Sequence, residues 1–251
     1  MMTRFNRRTL VCANLLVALG VAAHDGIDYP SPVAAIQAAR VAPGFSFTVT
    51  FVAADALDLS TIFPDWPRND TLAGLADLQT VLAVQASRTA NDATAARHDV
   101  GLAPMSWASE ILGSQFNALR FPVTAALVER IRADFAPYAH RSPYPVRLRP
   151  QARDSRVAAV IAHHPNSYPS AHAALSWIFA EVLSDAMLAK RELLNGHAER
   201  SGWLQVVAGA HYPTDSSAGQ MLGQAFVVAL RASPEYRTAL EQSRKELLST
   251  R

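Results

Sequence analysis

From Thr71 the chain reads TLAGLADLQTVLAVQASR, with apolar residues three and four apart, the period of one face of a helix. Asp70 stands just before it as an N-cap. The same period recurs over 104–119, 122–136, 170–194, 215–231 and 234–248, and Pro122 and Pro234 fall where proline suits the first helical turn. Strand alternation is nearly absent. One short β-branched run, FSFTVTFV, lies inside a stretch, 24–70, that is rich in Pro, Asp and Ser and closes on FPDWPRND. The pattern predicts an all-α fold, with a single helical-bundle domain over 71–251 preceded by an irregular N-terminal arm over 24–70.

Composition narrows the function classes. The chain has 251 residues, 50% of them hydrophobic, enough to bury a substantial core in one domain. Its formal charge of +2 is nearly balanced and the basic residues are scattered, so no nucleic acid partner is expected. The first residues change the picture more. MMTRFNRR is basic, TLVCANLLVALGV is apolar, and Val21-Ala22-Ala23 supplies the small residues of a cleavage site, which together predict a signal peptide over 1–23. The run is short for a span of about 30 Å of hydrocarbon, so cleavage near Ala23 is expected rather than an anchor, and a periplasmic or secreted mature chain. The only cysteine, Cys12, lies in this leader, so the mature chain would be stabilised without disulfides. No later run is apolar for long enough to predict stable membrane insertion.

Candidate chemistry sits in three breaks between helices. AHRSPYPVRLRP (139–150) packs three prolines and three arginines into a stretch that cannot be helical. HHPNSYPSAH ends at His172, just where Pro169 and Ser170 begin an apolar helix, and the free N–H groups and positive dipole of a helix start favour an anion. GAHYPTD (209–215) places His211 before a second such start and Asp215 four positions on, where a carboxylate can orient the imidazole. Singly these are ordinary caps and solvated histidines; jointly they are the parts of a phosphoryl-transfer site. His163 and His164 read as a surface pair, and no metal or other cofactor is called for.

In order, Leu148-Arg149-Pro150, Ser167-Tyr168-Pro169-Ser170-Ala171-His172 and Gly209-Ala210-His211-Tyr212-Pro213-Thr214-Asp215 resemble the three-part signature of the type 2 phosphatidic acid phosphatase (vanadium haloperoxidase-like) superfamily. Within it they are similar to the class A bacterial non-specific acid phosphatases, and the likeness runs over roughly residues 60–231. The resemblance implies the acid phosphatase type of helical bundle and a metal-independent reaction. His211 would become a phosphohistidine, Asp215 would hold its other ring nitrogen, and His172 would act as acid and then base. Arg149, the Ser170 hydroxyl and the N–H groups around Ala171 and His172 would grip the phosphoryl oxygens.

Two cationic positions of that signature are altered. The family's lysine, seven positions before Arg149, falls on Ser142, and its second arginine, six before His211, falls on Gln205. Ser142 and Gln205 therefore stand as uncharged members of the phosphate cradle, with Arg141 and Arg147 as candidate compensating cations. The leading expectation is an exported acid phosphatase acting on a small phosphorylated substrate, with a homo-oligomer open. A non-catalytic phosphate-binding homologue is the alternative, and a vanadate-dependent haloperoxidase a third.

Overall fold

The computed structural model describes residues 46–101, 103–161 and 165–249. The leader, the arm up to residue 45, and the His163–His164 pair lie outside the described residues. Among the described residues ten α-helices follow in order: α1 (Leu59–Ile62), α2 (Leu72–Ser87), α3 (Ala90–Val100), α4 (Pro104–Leu112), α5 (Pro122–Phe135), α6 (Pro150–Arg153), α7 (Ala171–Ala186), α8 (Arg191–Val207), α9 (Pro213–Ala232) and α10 (Pro234–Ser249). No strand occurs among the described residues, where β pairing is limited to an isolated bridge between Leu148 and Asn166. The fold is all-α, as the periodicity predicts.

The boundaries show where local chemistry decided. Thr71 rather than Asp70 caps α2, its hydroxyl accepting from the Gly74 amide at 3.1 Å. The helix expected over 104–119 stops at Leu112, because Gly113 takes a φ of 91°. The single helix expected over 170–194 is two helices: α7 ends at Ala186, a 3₁₀ turn covers Leu188–Lys190, and α8 begins at Arg191. Arg244 of α10 donates to the Asp185 carbonyl from both Nε and Nη2, at 3.0 and 2.7 Å, and so takes up a carbonyl that the ending helix leaves without a partner. Helix α3 has no counterpart in the sequence reading, and α8 has one only over 191–194. α3 carries a full capping box between Thr89 and Asp92.

α7 is the central helix, packed against α8 and α9 and buried on nearly every side from Ala173 to Ser184. Around it the core gathers Trp107, Phe135, Tyr138, Ile178, Leu183 and Phe226, with Phe135 and Phe226 meeting edge to face at 5.3 Å. α10 closes the bundle against α5, and α3 lies along α8. The described part of the arm is tied down: Phe51, Val52, Leu59 and Phe63 join the core, and the Phe51 amide donates to Asp134 at 2.7 Å. No helix among the described residues is long and apolar enough to cross a membrane.

α9 approaches the start of α7 so closely that a Cβ on Gly219 would stand 2.3 Å from the Ser170 carbonyl oxygen. The obstacle is backbone, which cannot swing aside. Gly219→Ala is therefore expected to lower stability by about 1–3 kcal/mol, measured by chemical denaturation. A change within a few tenths of that scale would mean the two helices separate without strain.

Candidate active site

The end of α8 sets the position of His211. Gly209 adopts φ 69°, its amide donates to Val206 at 2.9 Å and the Ala210 amide donates to Gln205 at 3.1 Å. This is a Schellman closure, for which glycine is the least strained residue. The His211 amide donates to the same Gln205 carbonyl at 3.2 Å, and Tyr212 and Pro213 then open α9. The imidazole is thus pinned on a link of a few residues between two rigid helices.

Asp215 is the third residue of α9 and reaches back to the Tyr212 amide at 2.9 Å, the side-chain half of a capping box. It is fully buried. Oδ1 accepts from Arg147 Nη1 at 2.5 Å, while Oδ2 accepts from the Ser167 hydroxyl and lies 3.3 Å from His211 Nδ1. Arg147 in turn donates to Asp77 of α2 at 2.6 Å and to the Thr214 hydroxyl at 2.7 Å, with its guanidinium 4.0 Å from the centre of the Tyr212 ring. A carboxylate so surrounded has little room to rotate.

On the other side of the imidazole, Arg149 Nη1 is 2.9 Å from His211 Nε2. A guanidinium only donates, so Nε2 must accept, and the ring proton belongs on Nδ1 facing Asp215. Burial pushes the His211 pKa down, more strongly than its hydrogen bond to Asp215 raises it, and the Arg149 charge adds to the lowering. The result is a neutral imidazole with its lone pair on Nε2. Arg149 itself, the residue before α6, also donates to the carbonyls of Ala210 at 2.9 Å and Asn166 at 3.0 Å. Burial lowers its pKa to about 10, against the pull of Asp215, so it stays charged at neutral pH.

His172 is the second residue of α7, after the Ser170 cap. Its Nε2 lies 2.6 Å from Oδ2 of Asp99, on the last turn of α3. Asp99 is 1% exposed, and its other oxygen accepts from Ser201 at 2.8 Å. Ser201 accepts from the Trp107 indole at 2.9 Å. Both histidines therefore hold a buried carboxylate.

Arg149, His172 and His211 line one cleft of about 60 Å³, together with His140, Asn166 and Ala171. The amides of Ala171 and His172 belong to the first turn of α7 and have no acceptor within the helix. Ser170 is fully buried and its hydroxyl accepts from the Ala173 amide at 3.3 Å. Ser142, Gln205, Arg141 and Arg147 are not among the lining residues. Ser142 accepts from the Tyr144 amide at 3.2 Å, and Arg141 donates to the Ala54 carbonyl at 2.8 Å and lies over the Tyr138 ring. Arg147 is committed to Asp77 and Asp215, and the Gln205 amide is fully buried with neither polar atom hydrogen-bonded. Among the described residues, no three His, Cys, Asp or Glu side chains come together as a metal site.

Asp77, Asp99, His140 and Ser167 have no part in the sequence reading of the site. Ser167 was within reach, since it opens the SYPSAH segment. The two aspartates gave no local sign, being single carboxylates on ordinary helices.

No model of a known protein family matches the chain. Over 81 residues, 32% of its length, it is 35% identical to a non-specific acid phosphatase of Salmonella typhi. It is 29% identical over 80 residues, 32% of its length, to a non-specific acid phosphatase of Providencia stuartii. An acid phosphatase of Zymomonas mobilis is 29% identical over 85 residues, 34% of this chain. Each match spans 32% of the relative's own length. Over that stretch the chain is acid-phosphatase-like.

Proposed function

We propose that this chain is an exported phosphoric monoester hydrolase of acid phosphatase type that works through a phosphohistidine on His211. One observation carries the reading: His211 Nδ1 faces buried Asp215, its Nε2 meets Arg149, and Arg149, His172 and His211 line one cleft. In the first step Nε2 attacks phosphorus, the N–P bond forms as the P–O bond breaks, and the leaving oxygen takes a proton from His172. Arg149 shifts its donors to the phosphoryl oxygens, aided by the Ala171 and His172 amides. In the second step His172 takes a proton from water, the water oxygen attacks phosphorus, and the N–P bond breaks to release inorganic phosphate. Asp215 balances the charge on His211 throughout.

The size of the cleft bears on the substrate. At about 60 Å³ it is far smaller than the ~300–1,000 Å³ of pockets that enclose a drug-sized ligand. It admits a phosphoryl group and leaves the alcohol outside, which favours many soluble monoesters over one. The signal-peptide reading supports action outside the cytoplasm.

The test is hydrolysis of p-nitrophenyl phosphate by purified mature protein from pH 4 to 8, with the labelled residue mapped after a denaturing quench in base. Turnover is expected on the acid side, because burial lowers the His211 pKa and so keeps the imidazole unprotonated further into that range than an ordinary histidine. A base-stable, acid-labile label on His211 is expected with it. Neither turnover nor label would leave the second reading, a phosphate-binding protein without catalysis. That reading is favoured by one feature: Arg149 is the only arginine or lysine lining the cleft among the described residues.

A further inference from the structure

We propose that Asp99 is the positioning residue of His172, and that it makes Nδ1, rather than Nε2, the nitrogen that exchanges the leaving-group proton. The inference rests on the phosphatase reading and deepens it. It begins with the accounting of hydrogen-bond donors. Asp99 is buried on the last turn of α3, where one oxygen accepts from Ser201 at 2.8 Å and the other meets His172 Nε2 at 2.6 Å. Ser201 is itself fully buried, and the Trp107 indole fixes its hydroxyl by donating to it at 2.9 Å, which leaves the hydroxyl proton for Asp99.

Burial alone would raise the Asp99 pKa, yet the hydrogen bonds from His172 and Ser201 and the nearby imidazoles outweigh it and hold the carboxyl below its ordinary value. An ionised carboxylate only accepts, so Nε2 carries the N–H of that bond in either charge state of the ring. The other nitrogen, Nδ1, is then the one that gains and loses a proton. His172 lines the cleft that holds Arg149 and His211, with His140 on the same wall. His197 acts on Asp99 from α8, and Glu110 of α4 feels the Asp99 charge.

The arrangement mirrors the one around His211 with the opposite purpose. Asp215 backs a nitrogen so that the other can attack; Asp99 backs a nitrogen so that the other can hand over a proton and recover it from water. A fixed ring matters because proton transfer needs heavy atoms within about 2.6–3.2 Å of one another. The chain Trp107–Ser201–Asp99–His172 runs through α4, α8, α3 and α7, so four helices fix the direction of one N–H bond.

The dependence of the damage on the leaving group separates this role from a structural one. A nitrophenolate departs without needing a proton, whereas an alkoxide departs only if protonated. In Asp99→Asn, kcat/KM for an alkyl phosphate such as glycerol phosphate, which reports the step in which the alcohol leaves, is expected to fall about 10²–10³-fold, against roughly tenfold for p-nitrophenyl phosphate. Inhibition by inorganic phosphate should change little, and Asp99→Glu should recover part of the alkyl-ester loss. Ser201→Ala should show the same selective pattern more weakly, and it carries the test if Asp99→Asn does not fold. Equal losses of kcat/KM on both esters, in whichever variant folds, would overturn the proposal while leaving the phosphatase reading intact. A wild-type protein without turnover on either ester would overturn both.

Discussion

His211→Ala is expected to abolish phosphomonoester hydrolysis, with a fall in kcat on the order of 10⁴ to 10⁶-fold, the range found when a covalent nucleophile is deleted. The expectation rests on chemistry that no neighbour can replace. His172, the other imidazole assigned a role in the reaction, has its Nε2 bonded to Asp99. Covalent labelling should vanish along with turnover. Folding should survive, because the substitution removes a ring and leaves Asp215 still accepting from Arg147, Ser167 and the Tyr212 amide. The measurement is steady-state hydrolysis beside a denaturation curve. Substantial residual activity in a folded His211→Ala protein would refute the phosphohistidine route.

Arg147→Met should produce the largest loss of stability, about 3–5 kcal/mol by chemical denaturation. Arg147 is 1% exposed and holds Asp77 on one side and Asp215 on the other, themselves 4% and 0% exposed. Met fills much of the same space over the Tyr212 ring but leaves two buried carboxylates facing each other without a cation. Removing one partner of a buried pair costs far more than the pair contributes, because the remaining charge stays out of water. Arg147→Lys should fall between, since an ammonium retains the charge without the fork that spans both carboxylates. Pairing Arg147→Met with Asp77→Asn should recover part of the loss. A loss under about 1 kcal/mol for the single variant would mean the carboxylates find other partners.

Sequence periodicity gave the long amphipathic helices well, because a buried stripe repeats every three to four residues whatever its surroundings. It missed α3 and most of α8 for a physical reason. ANDATAARHDV offers little apolar surface beyond alanine, and RELLNGHAERSGWLQVV interrupts its stripe with Asn, two Gly and charges, so tertiary packing rather than propensity stabilises both. Local motifs of the site were legible for the opposite reason. The Schellman glycine, His211 and Asp215 lie within seven consecutive residues, and their geometry closes on itself.

Contacts made across the fold left no such mark. Asp77 is 70 positions from Arg147 and Asp99 is 73 from His172, and each is an unremarkable helix residue until the helices dock. Spacing along a loop proved a poor ruler. In AHRSPYPVRLRP the residues that line the cleft are Ala139, His140 and Arg149, while Ser142 is not among them, because a stretch with three prolines does not advance by a fixed rise. Gln205 supplies its carbonyl to the amides of Ala210 and His211 while its side chain turns into the protein.

The origin of Asp77 and Asp99 has a consequence for how this chain comes to life. Every residue that lines the cleft lies at 139 or later, whereas the two carboxylates that steady Arg147 and His172 come from before 101. During synthesis the first portion emerges with two acidic side chains destined for burial and no counterions, and the second portion brings the arginine and the imidazole. Neither half is electrically complete by itself, so neither gains much by folding early. Activity and compactness should therefore appear together, late, once the last helices are out. On the export route proposed above, a chain threaded across a membrane in extended form would not assemble the surroundings of His211 until it arrived.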